Sequence, residues 1–260
     1  MEQIISGISA MFPKFSAYFY AGVIVFCRLA GFVRFAPVFH RHDVITYVKL
    51  GFVFLFTILI TPTLSPPTTI PEGTSLGLMI ILNITCGAII GYVARLLILA
   101  IESAGDMINT QMGLSSAMVM DPSSNSQTAL LSNILTLFGT IIFIHIGGVY
   151  WMLNAFIRSF EIFPMYATSI PLMQLVNIDY LVTMTSNVLY IGLQIASPIL
   201  LATLGQDIVL GIISRTAPQV NVFQLSFLFK PVFGAAIMIW ILPMLLNVIT
   251  DYFMAHSNIF

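Results

Sequence analysis

Six predominantly apolar runs divide the chain: residues 15–33, 44–61, 75–104, 129–156, 180–204 and 232–254. The hydrocarbon core of a bilayer is about 30 Å thick, so a crossing helix needs about twenty such residues. Strands of a membrane barrel would alternate apolar and polar residues over short segments, which these runs do not do. Only 7% of the residues are charged and 58% are hydrophobic, whereas a soluble domain is about a quarter charged. Such a chain cannot cover itself with a water-compatible surface. The predicted fold is all-α: a polytopic membrane protein of about six long hydrophobic helices in hairpins, forming a single membrane domain over residues 1–260.

The formal charge of -1 argues against nucleic-acid binding, which needs a dense cationic face. Cys27 and Cys86 lie inside apolar runs and read as small packing residues, not as a disulfide framework. No cleavable leader is expected, because the first run is too long and aromatic for a signal sequence.

PTLSPPTTIP (62–71) reads as a stiff non-helical connector, since proline fixes φ and removes a donor. Residues 164–171 read as a second short connector, and DPSSNSQ (121–127) offers turn and N-cap chemistry before the fourth run. Gly147-Gly148 interrupts that run and predicts a kink or a close helix contact. Arg34, Arg41 and Lys49 follow the first run, and Arg215 and Lys230 follow the fifth, while Lys14 and Arg158 fall on the other side. This bias places the odd-numbered loops in the cytoplasm.

Charges within apolar runs carry information because each costs roughly 2.5–3.5 kcal/mol at the bilayer centre. Arg28 lies deep in the first run. Arg95, Glu102 and Asp106 share one helix face if the third helix continues that far. Asp207 and Arg215 flank IVLGIIS, and each calls for a partner; for Arg215 the candidates are Asp207 and a carboxylate on a neighbouring subunit. Structural pairing is the simplest use of these charges. His145, alone on an apolar run, reads as a packed, hydrogen-bonded residue, and the His40/His42 pair lacks the further ligands a metal needs. HExxH, P-loop and nucleophile-elbow motifs are absent, so neither an enzyme nor a cofactor is implied.

One stretch fits neither a loop nor a span. GDMINTQMGLSSAMVMDP (105–122) has four methionines, several small polar residues and no lysine or arginine. Its context carries a family resemblance. RLAGFVRFAP (28–37) with VKLG (48–51), GAIIGYVARLLILAIESAGDMINTQMGLSSAMVMDP (87–122), the Ser197-Pro198 step and ISRTAPQVNVF (213–223) together resemble the FliR family of flagellar and type III export-gate subunits. The resemblance runs over nearly the whole chain. One departure is DVITYVK, where the family usually has a proline followed by basic residues and this chain has Ile45, Thr46 and Tyr47.

The resemblance implies a pore component of the bacterial inner membrane, at a flagellar basal body or injectisome base. It implies a helical hetero-oligomer with FliP-like and FliQ-like subunits, contact with an FlhB-like gate protein, and passage of unfolded export substrates. It further implies that the loop matching 105–122 plugs the channel, with Met107, Met112, Gly113, Leu114, Ser115, Ser116, Ala117, Met118, Val119 and Met120 as plug residues. The residue types suit that task. Flexible methionines repack against varied neighbours, glycine and small residues permit movement, and apolar constriction is a gating device. Asn109, Gln111 and the serines are expected to satisfy irregular backbone at membrane depth. The alternative, an autonomous six-span secondary transporter, needs paired broken helices around a polar midplane site. Gly147-Gly148 supplies one break, and the other half of the sequence shows no counterpart.

Overall fold

The apolar runs are helical, and three of the helices continue well past the apolar residues. The computed structural model describes residues 13–40, 45–64, 76–114, 119–121, 126–128, 130–166 and 178–256. Their order is α1 (Pro13–Phe35), α2 (Pro37–His40), α3 (Thr46–Ile60), a 3-10 turn (Thr61–Leu64), α4 (Leu76–Gln111), β1 (Val119–Asp121), β2 (Ser126–Thr128), α5 (Leu130–His145), α6 (Gly148–Ile162), α7 (Ile178–Thr216) and α8 (Val222–Ala255). β1 and β2 pair antiparallel, with Val119 opposite Thr128 and Asp121 opposite Ser126, a small ribbon among described elements that are otherwise helical. Among the described residues, five helices are long and apolar enough to cross a membrane, and α5 with α6 add a sixth if taken as one broken span.

Length sets α4, α7 and α8 apart. They hold 36, 39 and 34 residues. At 1.5 Å per residue each is roughly 50–60 Å long. Fitting one inside about 30 Å of hydrocarbon would require a tilt beyond the ~0–40° that membrane helices adopt. The sequence reading ended the third run at 104 and the fifth at 204, and began the sixth at 232. Those limits were set by charged and polar residues, but helical hydrogen bonds are local and continue through them.

Proline and glycine shape the helices in different ways. Pro198 lies inside α7 and has no N–H for the carbonyl of Gln194. The Ser197 hydroxyl donates to that same carbonyl at 2.9 Å, which restores the missing bond. The reading of 62–71 as wholly non-helical is corrected at its start: Pro62 falls in the 3-10 turn. A first-turn proline gives up no helical bond, and the hydroxyls of Thr61 and Thr63 donate to the carbonyls of Thr57 and Ile60. Gly147 adopts φ 85° and ends α5, where the sequence predicted a kink. His145, expected to be packed, is instead exposed at the last residue of α5.

The described residues group into two compact units, one drawn from 1–95 and 149–181, the other from 96–148 and 182–259. In the first, α1 lies backbone to backbone on the early part of α4. A Cβ added at Gly31, Gly87 or Gly91 would lie 2.2 Å from the Ile84 carbonyl oxygen, 1.8 Å from that of Arg28 and 2.5 Å from that of Phe32. Phe32 packs on Phe156 of α6 at 5.3 Å between ring centroids. An open groove of about 670 Å³ lies between α1 and α3, lined by residues such as Tyr18, Phe26, Phe54 and Ile58. Its Thr57 and Thr61 hydroxyls donate to their own helix, so the groove offers no polar or charged site.

In the second unit, the late part of α4 is the central element. Leu96, Leu97, Ala100, Ile101, Ala104, Ile108 and Met112 are buried. α5 crosses at Gly105, where a Cβ would lie 2.4 Å from Ser132 Cα. The Ser132 hydroxyl donates to the Glu102 carbonyl at 2.9 Å. α7 approaches at Gly192, beside the Ala100 carbonyl and Ser103. Gly234, Met238, Leu245, Ile249 and Phe253 form the buried stripe of α8, at helical spacing.

Candidate pore-plug site and buried charges

The methionine-rich stretch begins as regular helix. Residues 105–111 are the last turns of α4, which corrects the expectation of irregular backbone there. Their N–H groups bond within the helix, so the Asn109 and Gln111 side chains are not needed to satisfy backbone. Met107 is half-buried, while Ile108, Asn109 and Met112 are buried. Gly113 then takes φ 72°, and its N–H donates to the Thr110 carbonyl at 3.1 Å. This left-handed glycine ends the helix, as glycine does at many helix C-termini. Leu114 follows and is half-buried. Ser115, Ser116, Ala117 and Met118 lie outside the described residues. Val119 and Met120 resume as β1, opposite Thr128 and Gln127.

Two contacts fix this end of α4 within the second unit. The Gln111 amide donates to Asp207 Oδ2 at 3.3 Å. Asp207 Oδ1 pairs with Lys230 Nζ at 2.7 Å, with the two side chains about one-third and one-fifth exposed. Each carboxylate oxygen therefore has its own donor, one from α4 and one from α8. The neighbouring Met112 has no exposed surface. It fills the notch left by Gly234 on α8, where a Cβ would lie 2.6–2.9 Å from Met112 Cε, Cγ and Sδ.

Arg28 is the buried charge the sequence flagged, and its partners are neutral. It has no exposed surface. Nε and Nη2 both donate to Asn83 Oδ1, at 2.9 and 2.6 Å. Nη1 reaches Ser159 Oγ at 3.1 Å, and Nη2 also reaches the Phe163 carbonyl at 2.8 Å. The guanidinium stacks 3.9 Å from the Phe160 ring centroid. Arg28 thus ties α1 to α4 and to the end of α6, where the negative end of a helix dipole favours a cation. Asn83 turns its amide to the carbonyls of Met79 and Met165.

The remaining flagged charges do not gather into one site. Arg95 and Glu102 are half-buried on α4, and Asp106 is exposed; the helix does continue far enough to put them on one face. The structure gives Asp207 to Lys230 instead of Arg215. Asp207 and Arg215 are eight residues apart on one helix, about 12 Å along its axis, too far to pair. Arg215 is exposed near the end of α7. Among the described residues, no three His, Cys, Asp or Glu side chains form a metal-sized group. Sequence reasoning missed Asn83, Ser159 and Gly234, and it used Lys230 only as a loop charge. For Asn83 a signal existed: a lone amide in mid-run needs a partner as much as Arg28 does.

A family model described as bacterial export proteins, family 1, matches residues 19–256. The chain belongs to that family. The match takes in Arg28, all of α4, and both Asp207 and Lys230. Within the family, the chain is 26% identical over 220 residues to the flagellar biosynthetic protein FliR of Escherichia coli, covering 84% of this chain and 82% of that one. It is 25% identical over 232 residues to the FliR of Bacillus subtilis, covering 86% and 84%. It is 30% identical over 168 residues to the Yop proteins translocation protein T of Yersinia pestis, covering 65% and 64%.

Proposed function

We propose that this export protein is the FliR-type subunit of a bacterial flagellar export gate, embedded in the inner membrane and forming part of the channel for unfolded substrates. The family match over residues 19–256 carries this reading. The flagellar relatives align over more of the chain than the translocation protein does, which favours a flagellum over an injectisome. Helices too long for a bilayer core and broad outward apolar faces on α3 and α8, such as Phe54, Leu59, Val232 and Trp240, suit a subunit packed among others. Those others are FliP-like and FliQ-like chains and an FlhB-like gate protein. The transporter alternative gains no support, since the matching family model and the relatives are described as export, flagellar biosynthetic and translocation proteins.

The stretch from Gly113 to Met120 acts as the plug. It leaves a fixed helix end through a left-handed glycine and returns as β1. Deleting residues 113–120 is expected to make the assembled complex leak small ions while its recovery in mild detergent stays normal. A deletion complex that conducts no more than the intact one refutes the plug. Purification without FliP-like and FliQ-like chains refutes the export-gate role itself.

A further inference from the structure

The groove between α1 and α3 lies within the first unit, and the export role proposed above makes no use of it. Its volume, about 670 Å³, falls in the ~300–1,000 Å³ range of ligand sites. Its lining runs from Tyr18 to Phe26 on α1 and from Phe54 to Pro62 on α3, about 12 Å of each helix. The two helices run antiparallel. Early α1 meets the end of α3, where a Cβ at Gly22 would lie 3.9 Å from Thr61 Oγ1. At the other end Phe39, just past α1, stacks on Phe52 near the start of α3, at 4.5 Å between ring centroids. The apolar spans are Ala17–Phe35 and Thr46–Leu64, so the groove occupies the same end of both. One leaflet of a bilayer core is about 15 Å deep. The groove is therefore about one leaflet long, and its rim carries the exposed Phe19, Phe54 and Ile58.

We propose that this groove holds one acyl chain of a membrane phospholipid, with the phosphate headgroup at the level of Lys14. A partner helix crossing the bilayer needs a track through both leaflets, whereas the far end of this helix pair carries the stacked rings of Phe39, Phe52 and Phe56. An acyl chain needs one leaflet and no polar partner, and the Thr57 and Thr61 hydroxyls already donate to carbonyls of α3. Removal from water does not hold a lipid here, since the bilayer is equally apolar. Close packing of the chain against the ring-lined walls holds it, together with charge at the headgroup. Tyr18 is 44% exposed at the groove's end, a residue type enriched at the membrane interface. Lys14 stands one turn earlier in α1, just outside the span, and a cation at that position complements a phosphate. The groove lining contains no acidic residue. The proposal needs only that α1 and α3 cross the membrane, so it stands or falls apart from the export-gate role.

The test uses the full chain with the subunits that copurify with it, in vesicles of phosphatidylcholine and phosphatidylglycerol. A trace of the phosphatidylglycerol carries a photoreactive group in one acyl chain. After illumination, residue-level mapping should find several-fold more label on Phe19, Val23, Phe54 and Ile58 than on Leu55 and Leu59, which are exposed on α3 outside the groove. Equal label on the two sets means ordinary bilayer contact and overturns the site. Absence of label from the groove means that a partner subunit or the chain's own first twelve residues cover it, and also overturns the site.

Gly22→Leu is the blocking variant. A Cβ there meets nothing nearer than Thr61 Oγ1 at 3.9 Å, so the added side chain fills the groove without parting the helices. Groove labelling should fall to the level on Leu55 and Leu59, with recovery of the assembly unchanged. Gly51→Leu, on α3 outside the groove and with nothing within 4 Å of its Cβ, should label like the wild type. Full groove labelling in Gly22→Leu overturns the site, and the wild-type labelling pattern decides the case even where that variant fails to assemble. Lys14→Gln should lower the preference for phosphatidylglycerol over phosphatidylcholine by roughly fivefold, the factor for one interfacial lysine. An unchanged preference overturns the headgroup assignment.

Discussion

Replacing Gly87 by alanine adds one methyl group and should be among the most damaging single changes in the first unit. The new Cβ would lie 1.8 Å from the Arg28 carbonyl oxygen, 2.8 Å from its carbonyl carbon and 3.0 Å from the Phe32 nitrogen. An ordinary carbon–oxygen contact is about 3.3–3.6 Å, so α1 and α4 must separate by roughly 1.5 Å at this point. The obstructing atoms are backbone, and no rotamer change relieves them. The same separation would carry the Arg28–Asn83 bonds, now 2.6 and 2.9 Å, beyond hydrogen-bonding range. Overpacking costs about 1–3 kcal/mol, and a lost bond to a charged group costs about 1.5–3 kcal/mol more. Against these stands a helix-propensity gain of about 1 kcal/mol for alanine over glycine. A net loss of at least about 1.5 kcal/mol corresponds to a melting point lower by roughly 3 °C or more. Thermal unfolding in mild detergent, followed by tryptophan fluorescence, measures this. Gly205→Ala is the control, because a Cβ there meets nothing within 4 Å, and it should melt at or slightly above the wild-type temperature. If Gly87→Ala melts like Gly205→Ala, the close-packing argument is wrong.

Three further outcomes follow from other contacts. Arg28→Met should destabilise by about 2–3 kcal/mol by leaving buried acceptors unsatisfied, and Arg28→Met/Asn83→Leu should recover part of that loss because the unmatched amide goes too; a double variant no better than the single one in thermal unfolding contradicts this. Gly113→Ala should cost about 1–2 kcal/mol for its left-handed backbone, with Gly113→Asn milder; equal melting points for the two would count against the observed φ. Ser197→Ala should cost about 1 kcal/mol in the presence of Pro198 but little in a Pro198→Ala background, where a backbone N–H serves the Gln194 carbonyl; a double-mutant cycle showing no coupling excludes that rescue.

The sequence by itself determined that the chain is helical and membrane-embedded, and roughly where each span lies. Those properties follow from local rules: run length against bilayer thickness, and backbone bonds closed within each helix. It also located the break at Gly147-Gly148, because glycine acts on its own backbone. The helix ends at Gln111, Thr216 and Val222 escaped it, since hydropathy registers a charge but not the partner that makes the charge tolerable. Only the tertiary structure decided those partners. Asp207 turns to Lys230 across a helix pair and not to Arg215 along its own helix, and Arg28 finds an amide, a hydroxyl and a carbonyl instead of a carboxylate. Such choices join residues up to 135 positions apart. Packing between helices settles them, through glycines whose missing Cβ atoms let two backbones meet, and no local pattern in the chain encodes which surfaces do so.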